Sequence, residues 1–151
     1  MHKIDINSTM CGILALINTW HGQEDKVRHH LSLLNHRGPD SSGVKTLKIM
    51  GTSNYLGHTR LAIVDPESGA QPFETEAGTL LAVNGEIYNC GSLKSLYKAE
   101  HRTKSDCECI AHLNDTMWPE YEKICCMING VYAFVCITKH NGRVWAAIAM
   151  N

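Results

Sequence analysis

Met10-Cys11-Gly12-Ile13-Leu14-Ala15-Leu16-Ile17-Asn18-Thr19 sets a cysteine and a glycine at the head of a short apolar run. From Cys11 to Thr19 the stretch reads as a buried strand. The cysteine that opens it has two readings. As a small apolar residue it fills core space. As a nucleophile it needs a base, and its own α-amino group, with a reference pKa of about 7.7–8.0, can take the thiol proton if the chain begins at Cys11. A peptide nitrogen cannot, because its lone pair is delocalised. The second reading therefore requires initiation at Met10 or removal of a leader covering residues 1–10.

Outward from that strand, Glu24 to Asn35 has helical periodicity, with Val27, Leu31 and Leu34 on one face. Glu24 and Asp25 sit in its first turn, where the helix dipole favours negative charge. Arg37-Gly38-Pro39-Asp40 ends it. Val44 to Met50, Leu56 to Val64 and Leu80 to Val83 read as strands, separated by the turn residues Asp65-Pro66, Gly69, Pro72 and Gly78. Short helices are expected after Gly91 (Leu93, Leu96, Tyr97), over Ile110 to Met117 ahead of Pro119, and around Tyr121 to Met127. Val131 to Thr138 and Arg143 to Met150 form a hairpin about Asn141-Gly142. Strands, a helix, strands, helices and strands in that order describe one layered α+β domain.

With 151 residues and 44% hydrophobic content, the chain can bury one real core. A net charge of -1 argues against nucleic-acid or membrane-surface partners. No apolar run approaches the roughly 18–20 residues of a membrane span. Residues 1–10 lack the apolar segment of a signal peptide. The seven cysteines are irregularly spaced, which points to free thiols in a reducing cytoplasm. No HxxxH, HExxH or paired CxxC spacing accompanies the nine histidines, so no metal site is expected.

Four further features can carry chemistry. Arg60, at the edge of an apolar strand, is either a surface cation or a fork for a carboxylate. Asn84-Gly85 is either an ordinary turn or an amide beside a backbone N–H, the pair an oxyanion hole requires. Glu86 and Asp106 are either solvated carboxylates or acceptors for a substrate ammonium. With the Cys11 thiol, this set suits a small zwitterionic amide such as glutamine.

Met10 to Ile13, His36-Arg37-Gly38-Pro39-Asp40, Gly57 to Asp65, Gly69-Ala70-Gln71-Pro72, Asn84-Gly85-Glu86-Ile87-Tyr88-Asn89 and Ser105-Asp106-Cys107-Glu108 occur in that order. Together they resemble the class II glutamine amidotransferase domain of the N-terminal nucleophile hydrolases. The Ala-Gln-Pro and Asn-Gly-Glu-Ile-Tyr-Asn runs are most similar to asparagine synthetases. Ile128 to Phe134 also looks like a family stretch, and the resemblance runs from Met10 to about Thr138.

The resemblance implies a four-layer αββα sandwich over residues 11–151, incomplete at its C-terminus. It implies Cys11 as nucleophile and α-amino base, Asn84 and Gly85 as oxyanion hole, Arg60 on the substrate carboxylate, and Glu86 and Asp106 on its ammonium. Glutamine is the implied substrate, and a synthetase domain or subunit the implied acceptor of ammonia. No cofactor is implied for glutamine hydrolysis. ATP and magnesium belong to a synthetase domain, whose Ser-Gly-Gly-x-Asp loop does not occur in this sequence. Two alternatives stay open: a silent glutamine-binding or regulatory fragment, and the glutaminase domain of another class II amidotransferase.

The family continues beyond Met150 with an Arg-Asp pair and more strands, where this sequence reads Ala149-Met150-Asn151. An unfinished sandwich exposes a sheet edge, so low stability, homo-oligomerisation or partner dependence is expected. A monomer that melts cooperatively at an ordinary mesophile temperature contradicts this.

Overall fold

Strand alternation sorts the side chains of this protein into layers. In the computed structural model, which describes residues 11–49, 51–61, 69–97, 102–140 and 143–150, the first sheet holds β1 (Gly12–Trp20), β2 (Ser41–Ile49) and β3 (Thr52–Arg60). These run antiparallel in the order β1-β3-β2. The second sheet holds β4 (Phe73–Glu74), β5 (Leu80–Ile87), β6 (Gly130–His140) and β7 (Arg143–Met150), antiparallel in the order β4-β5-β6-β7.

Even-numbered residues of β3 face the second sheet and odd-numbered ones face away. Leu56 packs with Leu80, Ala82, Val135 and Ile137 of the second sheet, joined by Ile13, Ala15, Leu47 and Val144. On the other side of β3, Tyr55 Oη accepts from Gln23 N at 3.2 Å, and Gly57 leaves room for Leu31 of α1 (Glu24–Ser32). The second sheet divides the same way. Leu81, Val83 and Ile87 of β5, with Tyr132, Phe134 and Cys136 of β6, meet α2 (Cys90–Tyr97), α3 (Cys109–Met117) and α4 (Tyr121–Met127). The layers are α1, first sheet, second sheet, then α2 to α4. This is the expected αββα sandwich. Each large aliphatic side chain buried in its two cores contributes about 1.5–3 kcal/mol.

Local differences from the sequence reading have identifiable causes. α1 stops at Ser32, and the chain tightens through i+3 bonds, Leu34 N to Leu31 O at 2.9 Å and Asn35 N to Ser32 O at 3.1 Å. β3 starts at Thr52 rather than Leu56, because Gly51 (φ 87°) lets the chain turn back directly from β2. Its first half was hidden by buried polar residues whose partners lie on the neighbouring strands. Asn54 Nδ2 donates to Leu47 O at 3.1 Å and its Oδ1 accepts from Asn18 N at 2.8 Å. β2 begins three residues early, and β4 is too short to leave a sequence signal. The expected strand residues 62–64, Met50, the Asn141-Gly142 turn and residues 1–10 lie outside the described residues. β6, β7 and α4 fall where expected, β6 with one extra residue before and two after.

Gly38 sits so tightly that a Cβ would lie 2.5 Å from the Thr59 carbonyl carbon and oxygen and 2.6 Å from Arg60 N. Main chain cannot swing aside, so Gly38→Ala should destabilise by about 1–3 kcal/mol. Gly91, inside α2, has nothing within 4 Å of its missing Cβ. Gly91→Ala should stabilise by roughly 0.5–1 kcal/mol. Thermal melts of the two variants should move in opposite directions; shifts of the same sign contradict the packing described.

Candidate functional site

Cys11 stands half-buried one residue before β1. The next residue, Gly12, is fixed by its N–H, which donates to Thr59 Oγ1 at 3.1 Å. Thr59 Oγ1 in turn donates to Leu34 O at 3.2 Å, satisfying a carbonyl in the turn after α1. A Cβ on Gly12 would come within 2.6 Å of Thr59 Oγ1 and 2.9 Å of Leu34 Cβ, which explains the Cys-Gly pair physically. Arg37 Nε donates to Cys11 O at 3.4 Å, and Leu61 N–H donates to Cys11 Sγ at 3.4 Å. The thiol thus lies beside the peptide that follows Arg60. Arg60 is buried at the end of β3, and its carbonyl accepts from Asp40 N at 3.0 Å. The surface-cation reading of Arg60 is therefore wrong.

Asn84-Gly85-Glu86 is not a turn. All three residues lie in β5, opposite Ala133, Tyr132 and Val131 of β6. Gly85 adopts φ 151°, a conformation L side chains rarely take, and a Cβ there would overlap the Val131 carbonyl oxygen. Asn84 and Glu86 share the face of Leu80 and Ala82, turned toward the first sheet. Every second peptide of β5 points the other way along the ladder, toward β4. But β4 pairs only with Leu80 and Leu81, so beyond Leu81 this edge of β5 has no strand beside it.

Side chains occupy the open edge instead. Asp106 Oδ2 accepts from Ile87 N at 2.5 Å, and Cys107 Sγ donates to Gly85 O at 3.4 Å. Both come from the single 3-10 turn Asp106–Glu108, whose start is capped by Ser105 Oγ accepting from Cys107 N at 3.3 Å. Burial pushes the Cys107 thiol far above the usual range, reinforced by Asp106 and then by Cys11. The two halves of the expected site lie on strands that meet where His58 Nε2 approaches Val83 O at 3.1 Å. One half is Cys11 and Arg60 at the end of the first sheet. The other is Asn84, Gly85, Glu86 and Asp106 at the end of β5. Glu86 is exposed, whereas Asp106 is half-buried with one oxygen already bonded to main chain.

The sequence reading missed Arg37, Thr59, His58, Gln71 and Cys107 as supports of this site. His58 and Thr59 carried a usable signal, because polar residues within an apolar strand must find partners when buried. All seven cysteines are free thiols. Among the described residues no cluster of three or more His, Cys, Asp or Glu side chains could hold a metal ion. Nor is any described helix long and apolar enough to cross a membrane.

Residues 10–147 match the glutamine amidotransferase domain. The chain belongs to that family. It is 43% identical over 143 residues to asparagine synthetase (glutamine-hydrolysing) 3 of Arabidopsis thaliana, covering 91% of this chain and 24% of that protein. Against the nodule asparagine synthetase of Pisum sativum it is 40% identical over 148 residues, 94% of this chain and 24% of the relative. The chain thus spans about a quarter of the length of these relatives. The glutamine phosphoribosylpyrophosphate amidotransferase of B. subtilis, solved with ADP and GMP, superposes with a TM-score of 0.65 at 22% identity. That superposition covers 85% of this chain and 35% of the other, and it supports the shared fold.

Within this amidotransferase domain His58 is a buried base between the sheets. Its Nε2 lies 3.1 Å from Val83 O, so Nε2 carries the proton. Nδ1 is buried without a partner among the described residues. Burial lowers the pKa to about 4 from 6.5; the bond to Val83 opposes this and the Arg60 charge adds to it. Folded His58 binds a proton less readily than unfolded His58. Its contribution is complete above pH 6.5 and is lost as pH falls toward 4, on the order of 3 kcal/mol in all. Unfolding free energy should fall over that window, and His58→Gln should flatten the fall. Parallel curves for the two proteins would contradict this.

Proposed function

We propose that this domain hydrolyses glutamine to glutamate and ammonia through a thioester on Cys11. The observation that carries the proposal is the placement of the Cys11 thiol. It lies beside the Arg60–Leu61 peptide, at the end of a strand whose His58 meets Val83, the residue before Asn84 and Gly85.

In the proposed reaction the Cys11 α-amine takes the thiol proton, and Sγ attacks the side-chain amide carbon of glutamine. Charge develops on the carbonyl oxygen, where Asn84 Nδ2 and the Gly85 N–H donate to it. Gly85 N–H has the right direction for this, since strand alternation turns it to the open edge of β5. The tetrahedral intermediate collapses, the ammonium returns its proton, and ammonia leaves. Water then attacks the thioester with the amine again as base, releasing glutamate and the thiol. Arg60 forks onto the α-carboxylate, and Glu86 with the second oxygen of Asp106 receives the α-ammonium. The mechanism requires a free amine on Cys11, and hence cleavage or absence of the peptide bond from Met10.

No cofactor takes part in these steps. By analogy with the asparagine synthetases it resembles, the ammonia passes to a synthetase domain or subunit. ATP and magnesium would serve that domain, in cytoplasmic asparagine biosynthesis.

Glutamate release and intact mass should be measured on the same sample of a chain that begins at Cys11. Cys11→Ala should abolish release. Asn84→Ala should lower kcat by about 10²–10³-fold. Release that survives Cys11→Ala would sink the mechanism. Absence of release from wild-type chain with a free Cys11 would favour the silent glutamine-binding alternative.

A further inference from the structure

Gln71 lies two residues before β4 and directly opposite Val83. In the β4–β5 register Phe73 faces Leu81, so continuing the ladder by two residues on each strand sets Gln71 against Val83. Yet the main chain of Gln71 does not continue the ladder. Its carbonyl is pressed against β2 instead, where a Cβ on Gly43 would overlap Gln71 O.

The side chain of Gln71 takes the missing strand's place. Its Oε1 accepts from Val83 N at 2.7 Å and its Nε2 donates to Val83 O at 3.1 Å. A carboxamide carries one acceptor and one donor at about the spacing of a peptide, so it can copy the pairing of a neighbouring strand. Val83 O also receives His58 Nε2 at 3.1 Å. Both acceptor positions of that carbonyl are then filled, one from the loop before β4 and one from β3 of the opposite sheet. His58 stands opposite Gly43 in the β2–β3 register, so both donors arrive at one junction between the sheets.

Two residues along β3 from His58 is Arg60; one residue along β5 from Val83 is Asn84. We propose that Gln71 and His58 are positioning residues for glutamine hydrolysis, clamping the Val83 peptide so that the oxyanion donors Asn84 and Gly85 are held in fixed relation to Arg60 and Cys11. The inference rests on the glutaminase reading. Neither residue touches substrate; both act through the backbone of β5.

Three substitutions separate this role from simple stabilisation. Gln71→Glu keeps the acceptor for Val83 N but sets oxygen against Val83 O. Gln71→Met keeps the length and removes both bonds. His58→Gln leaves one of the two donors to Val83 O in place. In a chain beginning at Cys11, assayed well below each melting temperature, both Gln71 variants should lower kcat by at least roughly tenfold. KM for glutamine should stay within about threefold, and His58→Gln should give a smaller loss of the same kind. In an Asn84→Ala background the Gln71→Glu loss should shrink to less than about threefold, because the clamp then has no amide to position. An undiminished loss in that background overturns the proposal, as does a change confined to KM.

Amide hydrogen exchange gives a readout independent of turnover. Gln71→Met should speed exchange at Val83 by at least about tenfold while amides of β6 on the far side of the sheet hold their rates. Unchanged exchange at Val83 overturns the clamp. Should wild-type chain with a free Cys11 release no glutamate, the glutaminase reading falls, and the catalytic half of the proposal falls with it. The clamp itself is still decided by the exchange rates.

Discussion

A strand that loses its neighbour halfway along its length must find other partners for every second peptide. That is the situation of β5, which pairs with β6 throughout but with β4 only at Leu80 and Leu81. Buried backbone groups left without partners cost about 1–3 kcal/mol each. Much of the polar architecture here answers that one deficit. Gln71 and His58 reach Val83, Cys107 reaches Gly85 O and Asp106 reaches Ile87 N. The residues proposed to handle substrate sit along the edge these contacts hold in place.

The deficit also explains why the proposed chemistry gathers at this end of the molecule. A fully paired strand offers its N–H groups to a neighbour and has none to spare. An interrupted one holds rigid N–H donors open to a ligand, at positions set by the rest of the sheet. Rigidity matters because oxyanion stabilisation depends on donors that need not reorganise during reaction. Gly85, one of the proposed donors, is held by a backbone conformation and a closeness to β6 that a side chain would forbid. The opposing sheet does the same for Cys11 by a different route, where Thr59 bridges Gly12 to the end of the α1 turn.

Layering was legible in the sequence, because the helical spacing of Val27 and Leu31 marks one face of α1 and the Asn141-Gly142 signal marks the β6–β7 hairpin. The candidate site residues were legible too, as types and as motifs. What could not be read was the state of each candidate. Arg60 as a surface cation and Asn84-Gly85 as a turn were both sound on local chemistry, and both depend on pairings made by distant segments. The first half of β3 escaped notice because Ser53 and Asn54 read as loop residues until their partners across the sheet are known. Gln71 is the extreme case. Nothing in its neighbourhood shows that its amide stands in for a strand, since that follows from the β4–β5 register alone.

Burial also divides the seven thiols by accessibility. Cys90, Cys107, Cys109 and Cys136 are buried, and desolvation drives each of them toward the protonated form, Cys136 to about 12. Because the thiolate is the reactive species, these four are inert toward electrophiles in the surrounding water. Cys11 is half-buried at the rim of the site, and Cys125 and Cys126 lie on or near the surface of α4. Dielectric shielding alone thus withdraws four of the seven thiols from reaction and leaves Cys11, Cys125 and Cys126 as the ones that solutes can reach.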